Sequence, residues 1–165
     1  MTIRIRLTEE KDLPALLDIY NHEVVNGTAT LDLHPKSIED WQAWYAEHSL
    51  GNHIALTAEA DGCPVGYVTL SRYREKEAYK TTVELSIYVH TDFRNRGVAS
   101  ALMEEILETA RTRRDVHTVI SVITSGNEAS LALHKKFGFI HCGTIREVGK
   151  KMEKMLDIHN YQLIL

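Results

Sequence analysis

The chain has 165 residues, 44% apolar and 25% charged, which is enough apolar material for the core of one domain, expected to span 1–165. A net charge of −4 argues against a general nucleic-acid or membrane-surface binder, since both are usually basic, and leaves room only for a local basic patch. There is no apolar run of about 18 residues and no apolar segment within MTIRIRLTEE, and Cys63 and Cys142 lack CxxC spacing, so a cytoplasmic protein with two reduced thiols is expected.

TIRIRL alternates apolar and polar residues and reads as a first strand. Thr8 then leads into EEKDLPALLDIYNHEVV, whose early acids and Pro14 suit a helix start. Leu13, Leu16, Leu17, Ile19 and Tyr20 give this helix an apolar side, and Asn26-Gly27 ends it. TATLDL is read as extended, and Ser37 as the N-cap of a second helix, IEDWQAWYAEHSL. HIALTAEA and PVGYVTLSRY flank Asp61-Gly62 and predict a hairpin. TTVELSIYVH is the next strand. The clearest helix is VASALMEEILETARTRR, with Val98, Leu102, Ile106 and Ala110 recurring every four residues. HTVISVIT, a helix NEASLALHKKF stopped by Gly138, and two strands, FIHCGTIREVG and DIHNYQLIL, complete the chain. This order predicts an α/β fold: a mixed, twisted seven-stranded sheet flanked by about four helices. A central β-α-β crossover through Arg94–Arg114 places a parallel pair in its middle.

The turn RNRGVAS, Arg94 to Ser100, lies between an alternating strand and the clearest helix. A helix N-terminus leaves backbone N–H groups without partners, and its dipole favours negative charge. Small residues allow a phosphate to come close, so Gly97, Val98, Ala99 and Ser100 could offer amides while Arg94, Asn95 and Arg96 add charge and polarity. The glycines of a dinucleotide fingerprint and the GK[ST] of a P-loop are absent. A plain strand-to-helix turn carrying surface arginines is the alternative.

In TTVELSIYVH the period of two puts Val83, Leu85, Ile87 and Val89 on one face and Thr82, Glu84, Ser86, Tyr88 and His90 on the other. A carboxylate in the middle of a central strand is either paired with an arginine or a general base raised by partial burial. Asn127, Ser130 and His134 share one face of their helix, which is a solvated stripe or a ligand-facing one. The RYREKEAYK segment is a charged loop or a source of cations for a carboxylate substrate. Scattered histidines and the lack of HxxxH or a Cys/His cluster argue against a metal, and the lack of GxSxG against a serine hydrolase.

R-N-R-G-V-A between a TVExSxYV strand and an amphipathic helix resembles motif A of the GNAT acetyltransferases, Q/R-x-x-G-x-G/A. IYNHEVVNGTAT, AY-x-x-TVE-x-SIYV, N-x-x-S-x-x-LH-x-K-x-GF and the late VG-x-K…LD…Q-x-L are similar to the phosphinothricin and methionine sulfoximine acetyltransferase branch, over nearly the whole chain. The resemblance implies a GNAT fold with acetyl-CoA as co-substrate, its diphosphate on the Arg94–Ser100 turn. The backbone amides of Ile87, Tyr88 and Val89 would hold the pantetheine and polarise the thioester carbonyl, with Asn127 and Ser130 along the same arm. Glu84 takes the place of the general base and His134 that of the acid for the departing thiolate. The acceptor implied is a small amino acid analogue such as phosphinothricin, methionine sulfoximine or methionine sulfone, in a pocket with Asn21, Arg74, Lys76, Tyr79, Thr82, Val83 and Glu84, in a homodimer. KKMEKMLD departs from the branch's KFGRWLD-like run by placing Met152 and Met155 where aromatics stand, which alters the expected pocket shape. Acetylation of a polyamine or a protein N-terminus, and an acyl-CoA sensor without catalysis, are the competing expectations; the first would want a carboxylate-lined site, the second would need neither Glu84 nor His134.

Overall fold

In a computed structural model of residues Met1–Leu165, the chain runs through β1 (Ile3–Leu7), α1 (Leu13–Asn26), α2 (Ile38–Glu47), β2 (Ile54–Ala60), β3 (Cys63–Arg72) and β4 (Thr82–Val89). It continues with α3 (Val98–Arg113), β5 (Thr118–Thr124), α4 (Glu128–Lys136), β6 (Ile140–Lys151) and β7 (Lys154–Ile164). The seven strands form one sheet in the order β1-β2-β3-β4-β5-β7-β6, antiparallel throughout except for the β4–β5 pair.

The two faces of the sheet are covered differently. Val83 and Leu85 of β4 point to the face under α3, whose stripe of Val98, Leu102, Ile106 and Ala110 is buried at 1% exposure or less. Removing a large side chain from such a site costs roughly 2–5 kcal/mol. The opposite face packs under α1 and α2 through Leu13, Leu16, Leu17, Ile19, Trp41 and Tyr67. Those two helices lie over β3 and β4, and Val122, Ile140, Ile145 and Ile164 remain exposed farther along the sheet.

Local chemistry explains the element ends. Ser37 caps α2 by accepting from Asp40 N–H, and Asp40 returns the bond to Ser37 N–H. Asp61 and Gly62 both take positive φ, 50° and 83°, as a two-residue hairpin turn requires. α1 begins at Leu13, after a 3₁₀ turn over Glu10–Asp12 in which Asp12 accepts from Glu9 N–H at 2.8 Å and from Arg6 at 2.6 and 2.8 Å.

Two expectations are corrected. TATLDL forms no strand; the 27–37 segment is irregular and is pinned from two sides, by Tyr20 Oη against Thr30 Oγ1 at 3.0 Å and by Lys151 Nζ on Thr30 O at 2.8 Å. The last two strands also run longer than their apolar patterns, into KKMEKM, where Met152 and Glu153 turn the hairpin at φ 51° and 59°. No glycine or asparagine marks that turn, so no turn signal stood in the sequence.

Candidate active site

β4 and β5 are paired over three residues only: Thr82 with Thr118, Val83 with Val119 and Glu84 with Ile120. Beyond that rung β4 stays on β3 as far as Val89, and β5 stays on β7 as far as Thr124. The two central strands therefore diverge, each held on its outer side. His90 N–H bonds Val65 O on the β3 side at 2.8 Å. Backbone groups alternate along a strand, so Ile87 and Val89 aim their N–H groups into the gap and Tyr88 aims its own at β3. This corrects the expectation for Tyr88, whose amide belongs to the sheet. Its ring stacks on Tyr67 at 5.5 Å and meets Tyr20 edge-on at 5.3 Å.

A groove of about 610 Å³ opens from this gap along the start of α3 and of α4. Ile87, Tyr88, Val89, Arg94, Asn95, Gly97, Val98, Ala99, Ser100, Asn127 and Ser130 line it, so most of the expected coenzyme residues come together, Tyr88 among them although its amide faces the sheet. Gly97 stands at the N-cap of α3 with φ 82°, in the left-handed region, and Asn95 before it at 59°. A Cβ built at Gly97 meets nothing within 4 Å, so open space lies against the helix end. The first intrahelical bond runs from Ala101 N–H to Gly97 O, which leaves the amides of Val98, Ala99 and Ser100 facing that space. No acid stands in the first turn of α3. Such a cradle fits a diphosphate.

The basic residues of the turn divide. Arg94 lines the groove and is braced by a bond to Val89 O at 3.2 Å and an ion pair with Glu23. Arg96 lies over the Phe93 ring at 5.6 Å and is not brought into the groove wall. Lys136, at the end of α4, reaches Ser100 Oγ at 3.1 Å and supplies the cation expected of Arg96. Glu23, Thr28 and Ala29 also line the groove and were missed. For Glu23 a signal existed: it follows Leu16 and Tyr20 at helical spacing, an acid on an apolar side.

Glu84 occupies the last paired rung, with its side chain half-buried on the α1/α2 face. Burial pushes its carboxyl above the ordinary range, and no arginine or lysine pairs with it. Thr82 shares that face, two residues away. Val83 does not: it is fully buried in the core under α3, so it cannot line an acceptor pocket. Asn21 is committed elsewhere, its amide donating to Lys36 O at 3.0 Å and accepting from Lys36 N–H at 2.8 Å. The loop between β3 and β4 holds Arg74 against the rings of Tyr73 and Tyr79, at 5.1 and 5.7 Å, with Lys76 exposed beside them.

His134 lies at the inner wall of the gap and is 2% exposed. Its Nδ1 is 2.7 Å from Ser130 O, so Nδ1 carries the hydrogen; Nε2, 2.8 Å from Ser121 Oγ, accepts from that hydroxyl. Burial pushes its pKa down. With both nitrogens engaged, the ring ties α4 to β5.

These features agree with what the chain is similar to. The model of the acetyltransferase (GNAT) family matches residues 13–139. The L-methionine sulfoximine/L-methionine sulfone acetyltransferase of Pseudomonas paraeruginosa is 36% identical, over 100% of this chain and 96% of its own. The Streptomyces coelicolor phosphinothricin N-acetyltransferase is 37% identical, over 97% and 95%. A solved GNAT superfamily phosphinothricin acetyltransferase from Sinorhizobium meliloti, in complex with AcCoA, superposes with a TM-score of 0.94 at 30% identity, covering 100% of this chain and 89% of that one. The chain belongs to the GNAT acetyltransferase family, and its fold is the GNAT fold. No helix in it is long and apolar enough to cross a membrane.

Proposed function

We propose that this protein transfers the acetyl group of acetyl-CoA to the α-amine of a small amino acid analogue of the methionine sulfoximine, methionine sulfone or phosphinothricin type. The observation that carries the proposal is the position of Glu84, a raised carboxyl with no cationic partner at the point where β4 and β5 part. The relatives named for these substrates match the whole chain.

In the proposed reaction the amides of Val98, Ala99 and Ser100, with Arg94 and Lys136, hold the coenzyme diphosphate, and Asn127 and Ser130 flank the pantetheine arm. The amides of Ile87 and Val89 face the thioester carbonyl and stabilise its developing negative charge. The amine attacks the thioester directly, and Glu84 takes its proton, through a water or by contact. Arg74 or Lys76, beside Tyr79 and Thr82, would clamp the substrate carboxylate. His134 serves as a brace across the gap, not as the acid.

A cytoplasmic homodimer is part of the same reading. Val122, Ile140, Ile145 and Ile164 are exposed on the Glu84 face of the sheet, beside the half that α1 and α2 cover. A second copy seated there would hide this patch and wall the acceptor site. Met152 and Met155, 46% and 51% exposed at the β6–β7 tip, would belong to that wall.

The test is release of coenzyme A thiol from acetyl-CoA with methionine sulfoximine, methionine sulfone and phosphinothricin, set against spermidine, an N-terminal peptide and no acceptor. Release confined to the amino acid analogues supports the proposal. Turnover only with spermidine or the peptide would replace it, and binding without any turnover would favour a sensor.

A further inference from the structure

Two helices of this chain carry the same histidine arrangement, one at the coenzyme gap and one behind Glu84. His48 closes α2 and turns back, so that Nδ1 lies 2.7 Å from Trp44 O and Nε2 lies 2.7 Å from Ser71 Oγ. A carbonyl only accepts, so Nδ1 carries the hydrogen. The ring is 9% exposed and tilted against Trp44 at 4.7 Å, and burial lowers its pKa and so favours the neutral form, in which Nε2 is bare. The single hydrogen of Ser71 is thereby committed to His48. Toward anything else Ser71 offers only lone pairs.

What stands opposite Ser71 is Glu84. The two are register partners across β3 and β4. Directly opposed residues of an antiparallel pair share a face, with Cβ atoms about 4.5–5.5 Å apart. The other groups packed around this rung are Thr82 and Ser86 of β4, Thr69 of β3 and Ile120 of β5, none of them charged. The titratable groups of this face are the Tyr67–Tyr88 pair farther along the strands, with Tyr20 of α1 and, near it, Glu23 and Asp32, and, behind Ser71, His48 with Glu47 and His53 near it. The loop joining β3 to β4 at this end carries Arg74, Glu75, Lys76, Glu77 and Lys80.

We propose that Ser71 and His48 form a positioning pair for Glu84: His48 holds the Ser71 hydrogen, and Ser71 Oγ accepts, directly or through one water, the O–H that Glu84 carries once it has taken the substrate's proton. This rests on Glu84 being the base. In that step the amine nitrogen bonds the acetyl carbon, the carbon–sulfur bond breaks to leave a thiolate, and the amine proton passes to a Glu84 oxygen. An acceptor beside the neutral carboxyl favours its protonated form and makes the carboxylate a stronger base. A hydroxyl free to rotate could instead donate to the carboxylate and weaken it. His48 removes that choice.

The test is a ¹³C NMR titration of the Glu84 carboxyl in the full chain, with kcat and acetyl-CoA affinity measured alongside. In Ser71→Ala the carboxyl should titrate at lower pH than in the unaltered protein, and kcat should fall by about tenfold, the worth of one hydrogen bond, without loss of acetyl-CoA affinity. Ser71→Thr, which keeps the hydroxyl, should restore most of both. His48→Phe should also lower the Glu84 titration, because it frees the serine hydrogen to donate. An unchanged or higher Glu84 titration in Ser71→Ala overturns the proposal; the higher value would mean that Ser71 donates to the carboxylate. Failure of the base reading is separate and would show as wild-type kcat in Glu84→Gln, with the titration still deciding what Ser71 does to the carboxyl.

Discussion

Glu84 and Ile120 form the last rung of the only parallel ladder in the sheet. One residue earlier, Val83 and Val119 are fully buried under α3; three residues later, Ile87 lines the coenzyme groove. The carboxylate thus sits at the apex of a wedge, far enough inside for its charge to be poorly solvated. Its strand neighbours fix it there, since β3 continues the sheet on one side and the opening begins on the other.

Replacing Glu84 with Gln should lower kcat by about 10²–10⁴-fold, the usual contribution of a positioned general base, while acetyl-CoA binds as before. In the unaltered enzyme kcat/KM should rise with pH as Glu84 loses its proton, with a midpoint above the ordinary carboxylate range because burial raises it. Initial rates across pH check both.

The same burial has a stability sign. The folded chain holds the Glu84 proton more tightly than the unfolded chain. That contribution is full below the unfolded carboxylate pKa and is lost as pH rises through the folded one. Glu84→Gln should therefore unfold at a higher temperature than the unaltered protein at neutral pH, and the difference should vanish in acid. Thermal scans at two pH values would show it.

Gly97→Ala places a side chain at φ 82°, where the left-handed backbone costs about 1–2 kcal/mol. Space is not the obstacle, since nothing in the chain lies within 4 Å of the new Cβ. The prediction is a coenzyme affinity reduced about tenfold through a displaced α3 turn, measured by calorimetry with coenzyme A.

Lys151 is 4% exposed, and its Nζ donates to Thr30 O at 2.8 Å and to Glu23 O at 3.4 Å. Burial pushes its pKa down, against Glu23 and Asp32. Lys151→Met would leave the Thr30 carbonyl without this donor, while Glu23 O keeps Gly27 N–H, at a cost of about 1–3 kcal/mol. Because Thr28 and Ala29 wall the groove, the variant should lose acetyl-CoA affinity as well as thermal stability.

His134→Gln separates a brace from an acid. The expected outcome is a lower melting temperature and reduced activity, with the Glu84 midpoint of the pH profile unchanged. An alkaline fall in the unaltered protein that is missing from the variant would restore His134 as the proton donor.

Much of the fold was legible because its signals are periodic. Alternation in β4 separated Val83 and Leu85 from Glu84, and the stripe from Val98 to Ala110 located the buried side of α3. The turn from Arg94 to Ser100 was legible as a small, basic helix start, either a cradle or a plain strand-to-helix turn, and the family resemblance chose between them. What escaped depends on direction and distance. A period of two tells faces apart but does not say which amides point along the sheet, so Tyr88 was grouped with Ile87 and Val89. Arg94 and Arg96 are two residues apart in one turn, yet only Arg94 meets the groove, where Glu23 waits for it. Ser71 and His48 lie 23 positions apart and meet only where the end of α2 reaches β3.

The most direct measurement of the central claim is the rate of coenzyme A thiol release from acetyl-CoA with methionine sulfone as acceptor, in the unaltered protein and in Glu84→Gln side by side. The account predicts acceptor-dependent turnover that falls at least about a hundredfold in the variant while acetyl-CoA affinity holds. Equal rates in the two proteins, or no acceptor-dependent release from the unaltered one, would contradict it.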